Sequence, residues 1–152
     1  MTATTDATVT TGATSPAAPA GTVSAVRNTA LLAIAAGCSV LAGLIHYGVV
    51  PEHRSEWVGY GVFFTLIGAF QLIWAAAVWT VRRPWLVSLG VVVNAAAIAL
   101  WAVSRTAGLP FGPETGEPEA VGVIDTLCVL AEGVALTVAV AMLWGAIRRR
   151  PS

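Results

Sequence analysis

Four long apolar runs dominate the chain, at about 28–50, 57–81, 85–104 and 120–146, and short polar breaks separate them. A helix needs about 20 mostly apolar residues to cross a bilayer. Each run meets that length. The breaks are Pro51-Glu52-His53-Arg54-Ser55-Glu56, then Arg82-Arg83-Pro84, then the segment Arg105–Glu119 with its three Pro and three Gly. The runs are too long and too continuous for barrel strands, and open strands cannot span a membrane because their backbone groups would stay unpaired in lipid. The pattern therefore predicts an all-α fold: an antiparallel four-helix transmembrane bundle over residues 27–150. After Met1, residues 2–26 are Ala, Thr, Pro, Gly, Ser and Val with the single charge Asp6; residues 1–26 show no periodic apolar face and are expected to form a disordered tail.

Within the runs, small and polar residues recur every three or four positions, which puts them on one stripe of each helix. Span 1 carries Ala35, Ser39, Ala42 and His46; span 2 Gly61, Phe64, Gly68, Gln71 and Ala75; span 3 Gly90, Asn94, Ala97, Trp101 and Ser104; span 4 Asp125, Cys128, Glu132, Ala135 and Ala139. Small residues let membrane helices approach closely, and polar ones hydrogen-bond across them. These stripes are expected to face one another as a polar seam, with Leu, Ile, Val and Phe turned to lipid. Counting helical rise inward from the expected span ends puts Glu132 roughly 16–18 Å deep, at a midplane level shared with Gln71 and Asn94. The same count puts His46 and Asp125 about one turn inside the outer surface, with Glu52, His53, Glu56 and Arg105 above them.

Composition sharpens this picture. The chain of 152 residues is 57% hydrophobic and 11% charged, against about 25% charged in an average soluble domain. Its net charge is zero, and its eight basic residues are all Arg. No basic face exists for nucleic acid. Arginine placement predicts orientation, because cytoplasmic loops are enriched in basic residues. With the N-terminus inside, Arg27, Arg82, Arg83, Arg148, Arg149 and Arg150 lie on the cytoplasmic side, and Arg54 and Arg105 outside. Both termini are then cytoplasmic in a multi-pass protein of the cell membrane. Trp57, Trp85, Trp101 and Trp144 fall near span ends, where aromatic belts sit.

Glu132 carries the most chemistry. A charge at the bilayer centre costs at least a few kcal/mol, and such residues usually mark a pathway or site. The simple role is a neutral acid bonded to Gln71 or Asn94. Asp125, in the first turn of span 4, suits the free N–H groups and dipole of a helix start. His46 sits on the seam of span 1. His53 and Glu56 sit on the first outer loop, where Ser55 or Glu56 is expected to cap span 2. Together His46, His53, Glu56, Asp125 and Glu132 form a candidate nitrogen and oxygen ligand set for Zn, Cu(II), Fe or Mn at the outer mouth. The 105–119 segment is expected to fold back through Leu109 and Phe111 as a cap, with Arg105 paired to an acid. Haem is disfavoured, because both histidines lie at one helix end. A di-iron bundle needs paired Glu-x-x-His elements that the chain lacks. Cys38 and Cys128 form no Cys-x-x-Cys pair and no disulfide framework.

His46, Pro51-Glu52-His53, Glu56-Trp57, Tyr60-Gly61, Phe63-Phe64 and Gln71, followed by Ser104-Arg105-Thr106, Gly108–Pro113, Glu119, Asp125 and Glu132, make a pattern over 28–147. It resembles small uncharacterised four-span membrane proteins of high-GC Gram-positive bacteria. That group has no established activity, so the resemblance implies a membrane location rather than a chemistry. The function classes left are three. The first is a non-enzymatic membrane protein that binds a metal ion or serves a metal- or redox-handling partner at its extracytoplasmic mouth. The second is a proton-coupled transporter subunit with Glu132 as proton carrier, which would need a homo-oligomer or a partner protein. The third is a purely structural subunit. A lipid-directed enzyme using His46 and Glu132 is disfavoured by the expected separation of their layers, about 10 Å.

Overall fold

The computed structural model describes residues 20–149, with side chains from Ala25 onward. The tail expected over residues 1–26 lies mostly outside the described residues, as does Arg150. Four helices, α1 (Ala20–Glu56), α2 (Val58–Val81), α3 (Pro84–Thr106) and α4 (Val123–Ile147), account for most of the described chain. From Ala25 onward all four are long and apolar enough to cross a membrane. The chain is an all-α, antiparallel four-helix transmembrane bundle, and it fits an integral membrane protein.

Two helix boundaries differ from expectation. The first is at Pro51–Glu56, expected as a loop, which forms the last turn and a half of α1. Proline removes one intrahelical hydrogen bond, and membrane helices tolerate this where neighbours resatisfy the backbone. Beyond the proline, His53 Nδ1 donates to the Val49 carbonyl at 3.0 Å and Ser55 Oγ to the Glu52 carbonyl at 2.6 Å, side-chain bonds that fold this last stretch back onto its own helix. The link to α2 is therefore Trp57 alone, in extended backbone with no side-chain cap, so neither Ser55 nor Glu56 caps α2. The second difference is at the start of α1, which begins at Ala20, ahead of the expected start near residue 28.

Around the bundle, α1 packs on α2 and α4, α4 packs on α3, and α2 meets α3 most sparsely. The α2–α3 turn is Arg82-Arg83. Arg82 adopts the left-handed conformation at φ 48°, and Pro84 opens α3 at a position where its missing N–H costs nothing. Both chain ends and this turn lie at one end of the bundle, called here the termini end. The α1–α2 and α3–α4 connections form the opposite loop end.

Two packing devices fix the helices. At the α1–α2 crossing, Gly43 and Gly68 face each other: a Cβ on either would come within 3.1 Å of the other's carbonyl oxygen. Between α2 and α3, Trp74 fills the wider gap. Its indole N–H donates to the Leu86 carbonyl at 2.7 Å, and its ring lies where a Cβ on Gly90 would be. Around Trp74, the buried residues Leu32, Ala35, Val78, Leu86, Val87 and Ala139 form the apolar core of the termini half. Large residues such as Ile34, Leu44, Leu66, Ile73, Val92 and Leu130 are exposed on the bundle surface, as a lipid-facing shell requires.

Candidate functional site

The polar residues of the four stripes converge at mid-depth. Ser39 and His46 on α1, Gln71 on α2, Asn94 on α3, and Cys128 and Glu132 on α4 are all buried. Ser39 Oγ donates to the Gln71 main-chain oxygen at 3.0 Å and also bonds Gln71 Oε1. Gln71 Nε2 donates to Asn94 Oδ1 at 3.2 Å and to Glu132 Oε1 at 3.4 Å. Asn94 Nδ2 donates to its own helix at the Gly90 carbonyl, 2.8 Å away. His46 Nε2 completes the set, 3.0 Å from Glu132 Oε1. One network thus joins all four helices, and the expected midplane group of Gln71, Asn94 and Glu132 is held together by direct bonds.

His46 is the correction. The sequence places it in an outer layer with Asp125; the structure pairs it with Glu132. The reason lies in the helical 51–56 segment. Because α1 runs to Glu56, His46 is ten residues from its end, about 15 Å at the helical rise. Glu132 is nine residues from the start of α4, about 14 Å. The two reach the same level, and the expected gap of about 10 Å between layers does not exist.

Asp125 goes elsewhere. Its Oδ2 accepts from the Gly122 backbone N–H at 3.1 Å and from Arg105 Nη2 at 2.6 Å. It opens α4 in the manner expected of a first-turn carboxylate, and it is not a neighbour of His46. Arg105 Nη1 bonds Glu119, so one guanidinium bridges two carboxylates and pins the 107–122 connection to α3 and α4. His53 bonds Val49 and packs its ring 4.2 Å from that of Phe64, and Glu56 is exposed at the end of α1. Neither reaches Glu132.

A different residue completes the cluster. Cys128 Sγ lies 3.6 Å from His46 Nε2. One nitrogen of His46, the sulfur of Cys128 and one oxygen of Glu132 all fall within 4.8 Å of one another. The signal was present in the sequence. Cys128 and Glu132 stand four apart, one turn up the same face of α4. The spacing of Cys38 and Cys128 relative to each other carries no such signal. A metal bonded at about 2.0–2.3 Å to N, O and S ligands holds them about 3–4 Å from one another, close to the observed spacing. The trio could hold a metal ion, its donor types being a sulfur, an imidazole nitrogen and a carboxylate oxygen.

Above the trio is a cavity of about 140 Å³ that extends toward the loop end. His46, Cys128 and Glu132 line its deep part, and Phe64, Trp101 and Phe111 are among its aromatic walls. Its roof is the 107–122 connection. Leu109 and Phe111 fold back over the cavity, and the Tyr60 hydroxyl donates to the Phe111 carbonyl at 3.2 Å. Gly112 makes this approach possible. Its φ of 97° suits glycine, and a Cβ there would strike the Tyr60 hydroxyl. Two buried donors, Trp101 Nε1 and Arg105 Nε, have no partner among the described residues. No protein-family model, curated protein or solved structure matches the chain.

Proposed function

We propose that this membrane protein binds a divalent transition-metal ion in its interior through His46, Cys128 and Glu132. The observation that carries the reading is the convergence of three different ligand types from α1 and α4 on one point at mid-depth. Charge supports it. A thiolate, a carboxylate and a neutral imidazole around a divalent cation sum to zero, so the low-dielectric interior holds no net charge. Gln71 Nε2 donates to Glu132 and orients the carboxylate, the kind of outer support that metal ligands require. Three protein ligands leave a fourth position, and the cavity lies beside it, as in zinc sites that exchange or act on a ligand.

Sulfur narrows the metal. A soft thiolate beside an imidazole favours Zn or Cu, and disfavours the Mn that a purely nitrogen and oxygen set would have accepted. In this reading the protein lies in the cell membrane with both termini cytoplasmic, and the metal is reached from the extracytoplasmic side. Its role is to hold or hand over the ion for a metal-handling partner.

Elemental analysis of detergent-purified protein, loaded with Zn or Cu and freed of excess, should find about one ion per chain. Cys128→Ser, His46→Ala and Glu132→Gln should each lose most of it, whereas His53→Ala and Glu56→Gln should keep it. Cobalt-loaded protein should show thiolate charge-transfer absorption that Cys128→Ser abolishes and Cys38→Ser retains. Wild-type protein that holds no stoichiometric metal would overturn the reading. His46 and Glu132 would then act as a buried hydrogen-bonded pair tying α1 to α4.

A further inference from the structure

Charge is divided unevenly between the two ends of the bundle. Every acidic side chain among the described residues lies at the loop end or at mid-depth. Arg105, at the loop end, bonds Glu119 and Asp125. Arg82 and Arg83, at the termini end, have no acidic partner among the described residues. Both border a second cavity of about 400 Å³, which Arg149 of α4 also lines.

The rim and the floor of this cavity differ in chemistry. Thr29, Arg82, Arg83 and Pro84 are exposed, whereas Leu32, Val78 and Val87 are buried. Each floor residue stands three or four positions further along its helix than a rim residue, about one turn deeper. The cavity is thus reached past basic side chains and ends on apolar ones. The backbone adds to the positive rim. Pro84 opens α3 with no acidic residue in the first turn and no side-chain cap, and such a helix start favours an anion.

The depth of the rim follows from its aromatic neighbours. Trp79, Trp85 and Trp144 are exposed at the same end, and such rings settle where hydrocarbon meets headgroups. The Arg82 guanidinium lies 5.7 Å from the Trp79 ring centre, and that of Arg148 4.9 Å from the Trp144 ring centre. The basic rim therefore sits at the level of lipid phosphates. A free anion would meet the rim and leave the apolar floor wet. A zwitterionic head would bring a cation to a rim that has no described acid to receive it. An anionic phospholipid matches both rim and floor.

We infer that the termini-end cavity binds one anionic phospholipid. Its phosphate is held by Arg82, Arg83 and the start of α3, and its ester region rests on Leu32, Val78 and Val87. Basic pockets between membrane helices take such heads. The site lies at the opposite end from the cavity roof and stands independently of the metal.

The test is native mass spectrometry of the full chain in neutral detergent, titrated with dioleoyl phosphatidylglycerol or with dioleoyl phosphatidylcholine. The two lipids share their chains and differ in head charge. Phosphatidylglycerol should bind saturably at one per chain, and phosphatidylcholine much more weakly. Arg82→Gln and Arg83→Gln should each weaken the apparent Kd for phosphatidylglycerol about fivefold. Arg27→Gln and Arg148→Gln remove the same charge from the same end but do not line the cavity, and should stay within about twofold of wild type. Equal binding of the two lipids would overturn the inference. Equal losses in all four variants would also overturn it, because the lipid would then be drawn by the belt of arginines rather than by the cavity. Displacement of phosphatidylglycerol by inorganic phosphate would overturn it in favour of a soluble anion.

Discussion

Glu132 and His46 show what a single residue can and cannot reveal. A carboxylate in the middle of an apolar run is conspicuous, because depth alone makes it costly. Its partner is not, because pairing depends on where another helix ends. Pro51 reads as a terminus, and α1 passes through it to Glu56. That extension of about one and a half turns carries His46 from the level of Asp125 to that of Glu132. Cys128 was legible in spacing but not in chemistry until the imidazole stood beside it, 3.6 Å away. The pair has a measurable consequence for the metal-free protein. His46→Ala removes the closest partner of Glu132 Oε1 and leaves the weaker contact from Gln71 at 3.4 Å. After chelator treatment this variant should be less stable than wild type by about 1–3 kcal/mol, read as a lower melting temperature. An unchanged melting temperature would mean that the contact is not a stabilising hydrogen bond.

At the scale of elements, the stripes of small and polar residues were largely readable, since a helix repeats its face every three to four residues whatever surrounds it. The interior faces of α1–α4 bury Ala35, Ala42, Gly68, Ala75, Gly90, Ala135 and Ala139 as that repeat requires. What periodicity does not encode is how closely each pair of helices approaches. The α1–α2 crossing is tight because Gly43 meets Gly68, whereas α2 and α3 are held apart by the Trp74 ring lodged against Gly90. Gly68→Leu should therefore force α1 from α2. A Cβ there already lies 3.1 Å from the Gly43 carbonyl, and the remaining side chain has nowhere to go. Overpacking of this kind costs about 1–3 kcal/mol, so the detergent melting temperature should fall by several degrees. Leu66→Ala, at a position 64% exposed on the surface of the same helix, should change it little. Equal losses in the two variants would place the tight crossing elsewhere.

On the scale of the whole molecule, the antiparallel arrangement makes orientation a single choice, because one end holds both termini and the α2–α3 turn, and the other holds the cavity roof. Arg27, Arg82, Arg83, Arg148 and Arg149 gather at the termini end, and Arg54 and Arg105 at the loop end. Positive residues near span ends set orientation, with acidic ones contributing little; so the pairing of Arg105 with Glu119 and Asp125 does not alter the count. The termini end should face the cytoplasm. Reporter fusions after Pro84 and at the C-terminus should then read cytoplasmic, and an insertion at Gly116, in the exposed part of the roof, should read extracytoplasmic. The reading reaches beyond topology, because the cavity is the approach to His46, Cys128 and Glu132. With the loop end outside, a membrane-impermeant chelator should strip metal from intact cells. The reverse fusion pattern would turn the cavity toward the cytoplasm, and any ion held there would have to come from the cytosolic pool.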